Sequence, residues 1–278
     1  MASLQDLRKR LRSVRSIEQL ASAMRTAATV KYSRLCRVRK EFGSYASASK
    51  DMLHLMGASG IQRHTHKVQK RDCLVVLSGN RGLCGGFHTE LFRLLERTLY
   101  SLKNPPLLLV SGRKAAAWLR ERGIPFEEYP ASDIPEYLEI KPMADRAEQL
   151  YVDGEVETVF VVYQRYRNMM LQEPTLLQFL PERGVAAGSA EENDPELLFL
   201  PSKDMIAEQI EDTCLDAELY DLALENATGA QAATMMSMRS ACDNAQAAAA
   251  GLETTINRRR QAEITSSVIE TASGAQGE

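Results

Sequence analysis

The sequence predicts a mixed α+β and α/β fold: a long antiparallel coiled coil of N- and C-terminal helices with an α/β domain inserted between them. Three observations predict it. No glycine or proline interrupts the chain from Met1 to Lys40, and helical composition resumes from Ser202 to about Ser273. Apolar residues in both stretches recur at three- and four-residue spacing, the signature of a helix burying one narrow seam. Between them, short β-rich runs alternate with helical ones, as in a mostly parallel sheet covered on both faces.

The N-terminal helix, residues 1–58, begins with Leu4, Leu7, Leu11 and Val14 and continues with Ile17, Leu20, Met24 and Ala27. This pattern is a heptad with one slip between Val14 and Leu20, as expected where a coil changes pitch locally. Helical composition runs on through Lys31, Leu35, Phe42 and Met52. A helix of roughly 55 residues would be about 80 Å long, beyond the usual globular length.

The central domain, residues 70–200, is expected to be Rossmann-like. Its strands are expected at Asp72–Gly79, Pro106–Val110 and Glu157–Tyr163, with edge strands at Thr175–Leu180 and Leu197–Leu200. Its helices are expected at Phe87–Leu102, Arg113–Gly123 and Met143–Tyr151, and a polar loop at Gly184–Asn193. The C-terminal helix, residues 202–278, carries a strict stripe of Met235, Met238, Cys242, Ala245, Ala249, Leu252 and Ile256. Alanine in the middle of this seam lets two helix backbones approach closely. The termini pair antiparallel because the chain must leave the coil, build the domain and return.

The net charge of −3 hides an asymmetry. Residues 1–40 hold eleven basic side chains against Asp6 and Glu18, whereas Asp204–Glu225 is strongly acidic. Either these two helices attract each other, or the basic one meets an acidic protein surface. A nucleic-acid partner is disfavoured, because the basic stretch has no interleaved aromatics and the whole chain is not basic. Five scattered cysteines without a CxxC pair read as thiols in a reducing compartment. His64 and His66 read as loop histidines. No apolar run of about 18 residues suits a membrane span, and the N-terminus has no signal-peptide core.

Ser78–Gly86 follows a strand and opens a helix, where phosphate-cradling loops lie in nucleotide-binding folds. It has neither the Lys-Ser/Thr of a P-loop nor GxGxxG spacing, and no acid ends the second strand to hold a ribose. The favoured reading is a structural turn whose glycines permit the bend and whose Arg81 makes a contact. No catalytic constellation, metal cluster or cofactor motif is evident, so the chain is expected to do no chemistry itself. Arg258-Arg-Arg-Gln-Ala-Glu-Ile-Thr265, beyond the seam, is either a solvated helix end or a dock for partner carboxylates.

These residues together resemble one family, the gamma subunit of F-type ATP synthase, over nearly the whole chain. Leu7–Leu20 with Ala23, Met24 and Lys31 is similar to its opening helix. Arg81-Gly-Leu-Cys-Gly-Gly86, Gly112-Arg-Lys114 and Gln172-Glu-Pro174 with Pro181 match its central domain. The C-terminal signature is similar at Met235, Met238, Asp243-Asn-Ala245, Leu252, Asn257, Arg260-Gln261, Ile264-Thr265, Glu270 and Ser273-Gly-Ala275.

The resemblance implies a central-stalk rotor without cofactors. Its coil would stand inside a ring of alpha and beta subunits, and its α/β domain beside epsilon on the membrane ring of c subunits. Contacts with the alpha/beta ring would fall to Arg8, Arg12, Met24, Lys31, Arg258, Arg259, Arg260, Gln261, Thr265 and Glu270. The foot turn would comprise Arg81, Gly82, Cys84, Gly85, Gln172, Glu173 and Pro174. The chain would lie peripherally on the cytoplasmic face of a bacterial inner membrane, attached only through partner subunits. It departs from the family pattern at Asn80 (usually Asp), at Gly229-Ala230 and Thr234 (usually Ser-Glu-x-x-x-Arg) and at Ser267 (usually Glu). Two other readings stay open: a nucleotide-binding enzyme or sensor using Arg81–Gly86, and a coiled-coil adaptor.

Overall fold

The computed structural model describes residues 3–55, 71–181 and 203–274. The expected edge strand at 197–200, the polar loop at 184–193 and His64 and His66 lie outside these residues. Two compact units are formed. One combines the chain up to Ala28 with the chain from Met235 onward, and the other is Thr29–Thr234. The division therefore falls inside both long helices rather than at their ends.

Helix α1 (Leu4–Leu55) opens with a reciprocal cap. The Asp6 amide donates to Ser3 Oγ, and the Ser3 amide donates to Asp6 Oδ2, both at 3.1 Å. In the first unit α1 pairs antiparallel with α5 (Lys203–Gly274). The register is fixed by Arg15 with Glu253 at 2.5 Å and by Gln246 Nε2 donating to Glu18 Oε1 at 2.8 Å. Nearer the middle, Ala21 packs in one cluster with Met238 and Cys242. Burial on α5 follows the expected stripe: Met238, Cys242, Ala245 and Ala249 are buried, and Met235, Leu252 and Ile256 are half-buried.

On α1 the expected slip does not occur. The three-four spacing runs unbroken through Leu4, Leu7, Leu11, Val14, Glu18, Ala21, Arg25 and Ala28, all buried or half-buried. Ile17 and Leu20 lie outside the seam, 56% and 62% exposed. The reason is size. Opposite Cys242 and Met238 a close helix pair accepts alanine at position 21, and a leucine there would force the backbones apart.

The second unit is a five-stranded sheet in the order β3-β2-β1-β4-β5. Its strands are β1 (Asp72–Leu77), β2 (Leu107–Ser111), β3 (Glu127–Tyr129), β4 (Thr158–Tyr166) and β5 (Gln172–Leu180). The first four are mutually parallel where paired, and β5 runs antiparallel to β4. Helices α2 (Phe87–Ser101), α3 (Arg113–Glu121) and α4 (Tyr137–Val152) complete the crossovers.

The three central strands are buried on both faces, which explains their unbroken apolar runs. Leu74, Val76, Leu108 and Val110 meet Leu91 and Leu95 of α2 and Leu119 of α3. Cys73, Val75, Leu77 and Leu109 join Met143 and Leu150 of α4, together with Leu35 of α1 and Leu219 of α5. Burying one such leucine contributes about 2 kcal/mol.

Several elements differ from expectation. Strand β4 runs on to Tyr166 and β5 begins at Gln172, so Gln172, Glu173 and Pro174 lie in a paired strand rather than in the expected turn. Strand β3 is a three-residue edge without an apolar run. Helix α4 begins at Tyr137, before Met143, because a capping box between Glu136 and Glu139 starts it there.

Gly112, between β2 and α3, has φ +107, and a Cβ on it would lie 2.3 Å from the Ser78 carbonyl oxygen. Gly112→Ala is expected to lower the stability of the full chain by about 3 kcal/mol, because strain and backbone clash coincide. Denaturant unfolding measures this, and a loss below about 1 kcal/mol would show that the β1 and β2 ends can part.

Candidate functional site

Between β1 and β4 the chain order reverses, and a doubly wound fold has its ligand crevice at that point. In this chain the crevice is filled by α5. Strand β4 continues beyond its last residue paired with β1, Val162, to Tyr166. Its amides at the far end are taken by α5 side chains: Gln164 N–H donates to Asn226 Oδ1 at 3.1 Å, and Tyr166 N–H donates to Glu225 Oε1 at 3.0 Å. On the other side of β4, Pro174 faces Gln164 and has no N–H for the ladder. The fully buried Gln164 side chain completes the junction by donating Nε2 to the Phe87 carbonyl at 2.6 Å.

The glycine turn also bonds the start of α3. Arg113 N–H donates to Asn80 Oδ1 at 3.2 Å, Lys114 N–H to the Gly79 carbonyl at 3.1 Å, and Ala115 N–H to Ser78 Oγ at 3.1 Å. The first amides of α3 are thus bonded within the chain. His88 lies beneath the turn, and its Nε2 contacts the Arg81 carbonyl at 3.0 Å, which makes it the donor. Burial pushes the His88 pKa below its usual value, so the ring is neutral at pH 7.

The expected foot residues hold this turn and the neighbouring hairpin. Arg81 is largely exposed, with its Nε 3.3 Å from Asp133 Oδ2. Gly82 lies 3.7 Å from the Lys114 side chain, measured from an ideal Cβ. Cys84 is buried, and burial raises its thiol pKa. Gly85 has φ +60, and Leu83, exposed at the tip, has φ +66. Gln172 Nε2 donates to the carbonyls of Asn168 and Met169, and Glu173 pairs with Arg167 at 3.0 Å.

The expected ring-contact residues are dispersed. Arg8 and Arg12 are exposed on α1, and Met24 is half-buried beside the Ala21 cluster. Arg258, Arg260 and Gln261 are exposed on α5, and Arg259 is half-buried. Thr265 is exposed and donates its hydroxyl to the Gln261 carbonyl at 2.8 Å. Glu270 lies on α5, with its side chain outside those described. Lys31 has a partner within the chain, Asp133.

The attraction between the acidic and basic helices is also internal where it is seen. Arg39 of α1 lies 3.4 Å from Asp221 and 3.3 Å from Glu225 of α5. The departures from the family pattern, Ser267 apart, fall in this second unit. Asn80, Ala230 and Thr234 line one small cavity of about 50 Å³ with Arg81, Ser132 and Asp133. Gly229 lets α5 approach Phe87, 3.2 Å from where a Cβ would stand.

Sequence reasoning missed Asp133, Gln164, Glu225 and Asn226. Asp221 and Glu225, one turn apart and opposite Arg39, offered a signal. Gln164 inside an apolar strand run offered another.

Comparison with known proteins places the whole chain. The ATP synthase family pattern matches residues 3–277. The ATP synthase gamma chain of Desulforamulus reducens is 30% identical over 99% of both chains. That of Rubrobacter xylanophilus is 28% identical over 99% of this chain and 98% of its own. Among solved structures, a chain from the Euglena gracilis mitochondrial ATP synthase rotor superposes with a TM-score of 0.62 at 16% identity, covering 94% of this chain and 98% of its own. A chain from the Tetrahymena thermophila central stalk and c-ring gives 0.60 at 18% identity, covering 80% and 99%. The chain therefore belongs to the ATP synthase gamma chain family, a non-catalytic subunit of that complex.

Two measurements check the junction. Asn226→Leu leaves the buried Gln164 amide without an acceptor, and a stability loss of about 2 kcal/mol is expected in denaturant unfolding. Burial raises the Glu225 pKa against the pull of Arg39 and the Tyr166 amide. The folded chain then keeps a proton that the unfolded chain has released, so stability falls as pH rises from the unfolded towards the folded pKa. Glu225→Gln should flatten this slope of the unfolding midpoint between about pH 4 and 7, and an unchanged slope would assign it to another group.

Proposed function

We propose that this chain is the central-stalk rotor of a rotary ATP synthase. It couples ion flow through a membrane ring of c subunits to ATP synthesis or hydrolysis in a ring of alpha and beta subunits, and epsilon sits beside its α/β domain. Its place is the cytoplasmic face of a bacterial inner membrane, held there by partners. No described helix is long and apolar enough to cross a membrane, which fits attachment of that kind.

The observation that carries this reading, beside family membership, is the far end of α5. Every side chain from Arg260 to Ile269 is exposed on a continuous helix, including Ile264, Val268 and Ile269 at 55%, 61% and 60%. A helix that presents large apolar groups next to a basic cluster fits a partner surface. Ile17 and Leu20 on α1 offer a second apolar strip, and Arg8 and Arg12 carry positive charge beside acidic loops of the ring. Arg258–Gln261, Thr265 and Glu270 are the ring contacts on α5 in this reading.

The nucleotide-sensor alternative loses ground, because Asn226 and Glu225 of α5 fill the crevice beside β4 where a nucleotide would lie. Calorimetry of the isolated chain with ATP and ADP is expected to give no heat of binding. Micromolar binding abolished by Arg81→Ala would favour the sensor.

The rotor reading is tested in the assembled complex. Arg260→Ala together with Gln261→Ala is expected to lower ATP hydrolysis about tenfold, as two central contacts worth about 1.4 kcal/mol would. A disulfide engineered from Arg258→Cys, exposed on α5, to a ring subunit should block turnover reversibly. Full coupled turnover with that cross-link in place would sink rotation and leave an adaptor.

A further inference from the structure

We propose that Asp133 is the pin by which the α/β sheet grips α1, so that turning one turns the other. This deepens the rotor reading and rests on it. Asp133 lies in the loop between β3 and α4, and its Oδ2 meets cations from two different elements. Lys31 Nζ reaches it from α1, and Arg81 Nε reaches it from the glycine turn. The carboxylate is mostly buried, with its side chain 18% exposed, and Lys31 is 30% exposed. An ion pair so shielded is stiffer and less screened by salt than a surface pair.

The loop carrying Asp133 is itself held from every side. Asn80 Nδ2 donates to the Ala131 carbonyl at 2.8 Å, and Ser111 Oγ donates to the Pro130 carbonyl at 3.3 Å. Ser132 Oγ donates to Glu139 at 2.8 Å, joining the loop to the first turn of α4. From α5, Tyr220 OH donates to the Pro135 carbonyl at 3.2 Å. A single seven-residue loop, 130–136, is thereby bonded to the ends of β1 and β2 and to α1, α4 and α5. Each apolar contact between the helices and the sheet can slide, since dispersion and burial are non-directional. The charged, hydrogen-bonded contacts at this loop resist sliding because they fix distance and direction.

Asp133 is thus a positioning residue for energy coupling. It touches neither nucleotide nor ion, and it converts rotation of the sheet into rotation of α1. The other coupling through α5, at Asn226 and Glu225, is a separate grip, so losing the pin leaves assembly and hydrolysis in place.

The test uses the whole ATP synthase reconstituted in vesicles, with ion uptake and ATP hydrolysis measured together. Asp133→Ala is expected to reduce ions moved per ATP hydrolysed at least about threefold, as the shielded pair is removed. The isosteric Asp133→Asn should give an intermediate loss, and Asp133→Glu, which keeps the charge, should restore most of the ratio. An unchanged ratio in Asp133→Ala and Asp133→Asn would overturn the pin. A ratio that falls equally in all three variants would also overturn it, by showing a packing effect rather than a charged link. If the unaltered chain itself does not assemble with nucleotide-binding subunits, the rotor reading fails, and that outcome is separate from failure of the pin.

Discussion

On the β1 side of β4, the amide of Gln164 has no strand to bond. Strand β4 outruns β1, and its exposed edge must find acceptors or leave buried N–H groups unbonded, which the interior tolerates poorly. Asn226 and Glu225 of α5 supply those acceptors, and much of the second unit follows from this constraint. Helix α5 cannot drift from the sheet without breaking two directional bonds. Gly229 next to them must stay small to admit Phe87, and Arg39 is drawn to the carboxylates of Asp221 and Glu225. The crevice that related architectures use for a ligand becomes the joint between a sheet and a long helix.

The glycine turn also ties neighbouring elements. It lies after β1 and before α2, and its Asn80, Gly79 and Ser78 bond the start of α3. A helix N-terminus attracts whatever negative or acceptor group is nearest. Here the chain provides it, and the turn ties β1, β2 and α3 together. Where the family pattern has Asp, Asn80 both accepts from Arg113 and donates to Ala131, a double role that a carboxylate cannot fill.

Much of the fold was legible in the sequence. Strands buried on both faces read as unbroken apolar runs, and Cys73–Leu77 and Leu107–Val110 showed it. The α5 seam was legible because its three-four stripe is strict, and burial follows it residue by residue. The α1 seam was misread at one place: Ile17 and Leu20 are the more hydrophobic residues, so they outweighed Ala21 and Ala28. Hydrophobicity alone ranks them correctly, but the partner's distance decides which is inside. Strand β3 was invisible because Glu127 and Glu128 lie on an edge and carry no periodic signal.

By itself the sequence determined the two long helices, the alternation of strand and helix between them, the parallel character of the sheet and the absence of a P-loop. It determined the family as well, because motif residues spread over the whole length occur in order. Only the tertiary structure decided how charges are spent. Lys31 and Arg39 look like the other basic residues of α1, yet Asp133 and Glu225 claim them, while Arg8 and Arg12 remain exposed. The reason is that a charge's role depends on neighbours about a hundred or more residues away along the chain. Periodicity reports which face of an element is buried, but the partner of each polar group is fixed only when those faces meet.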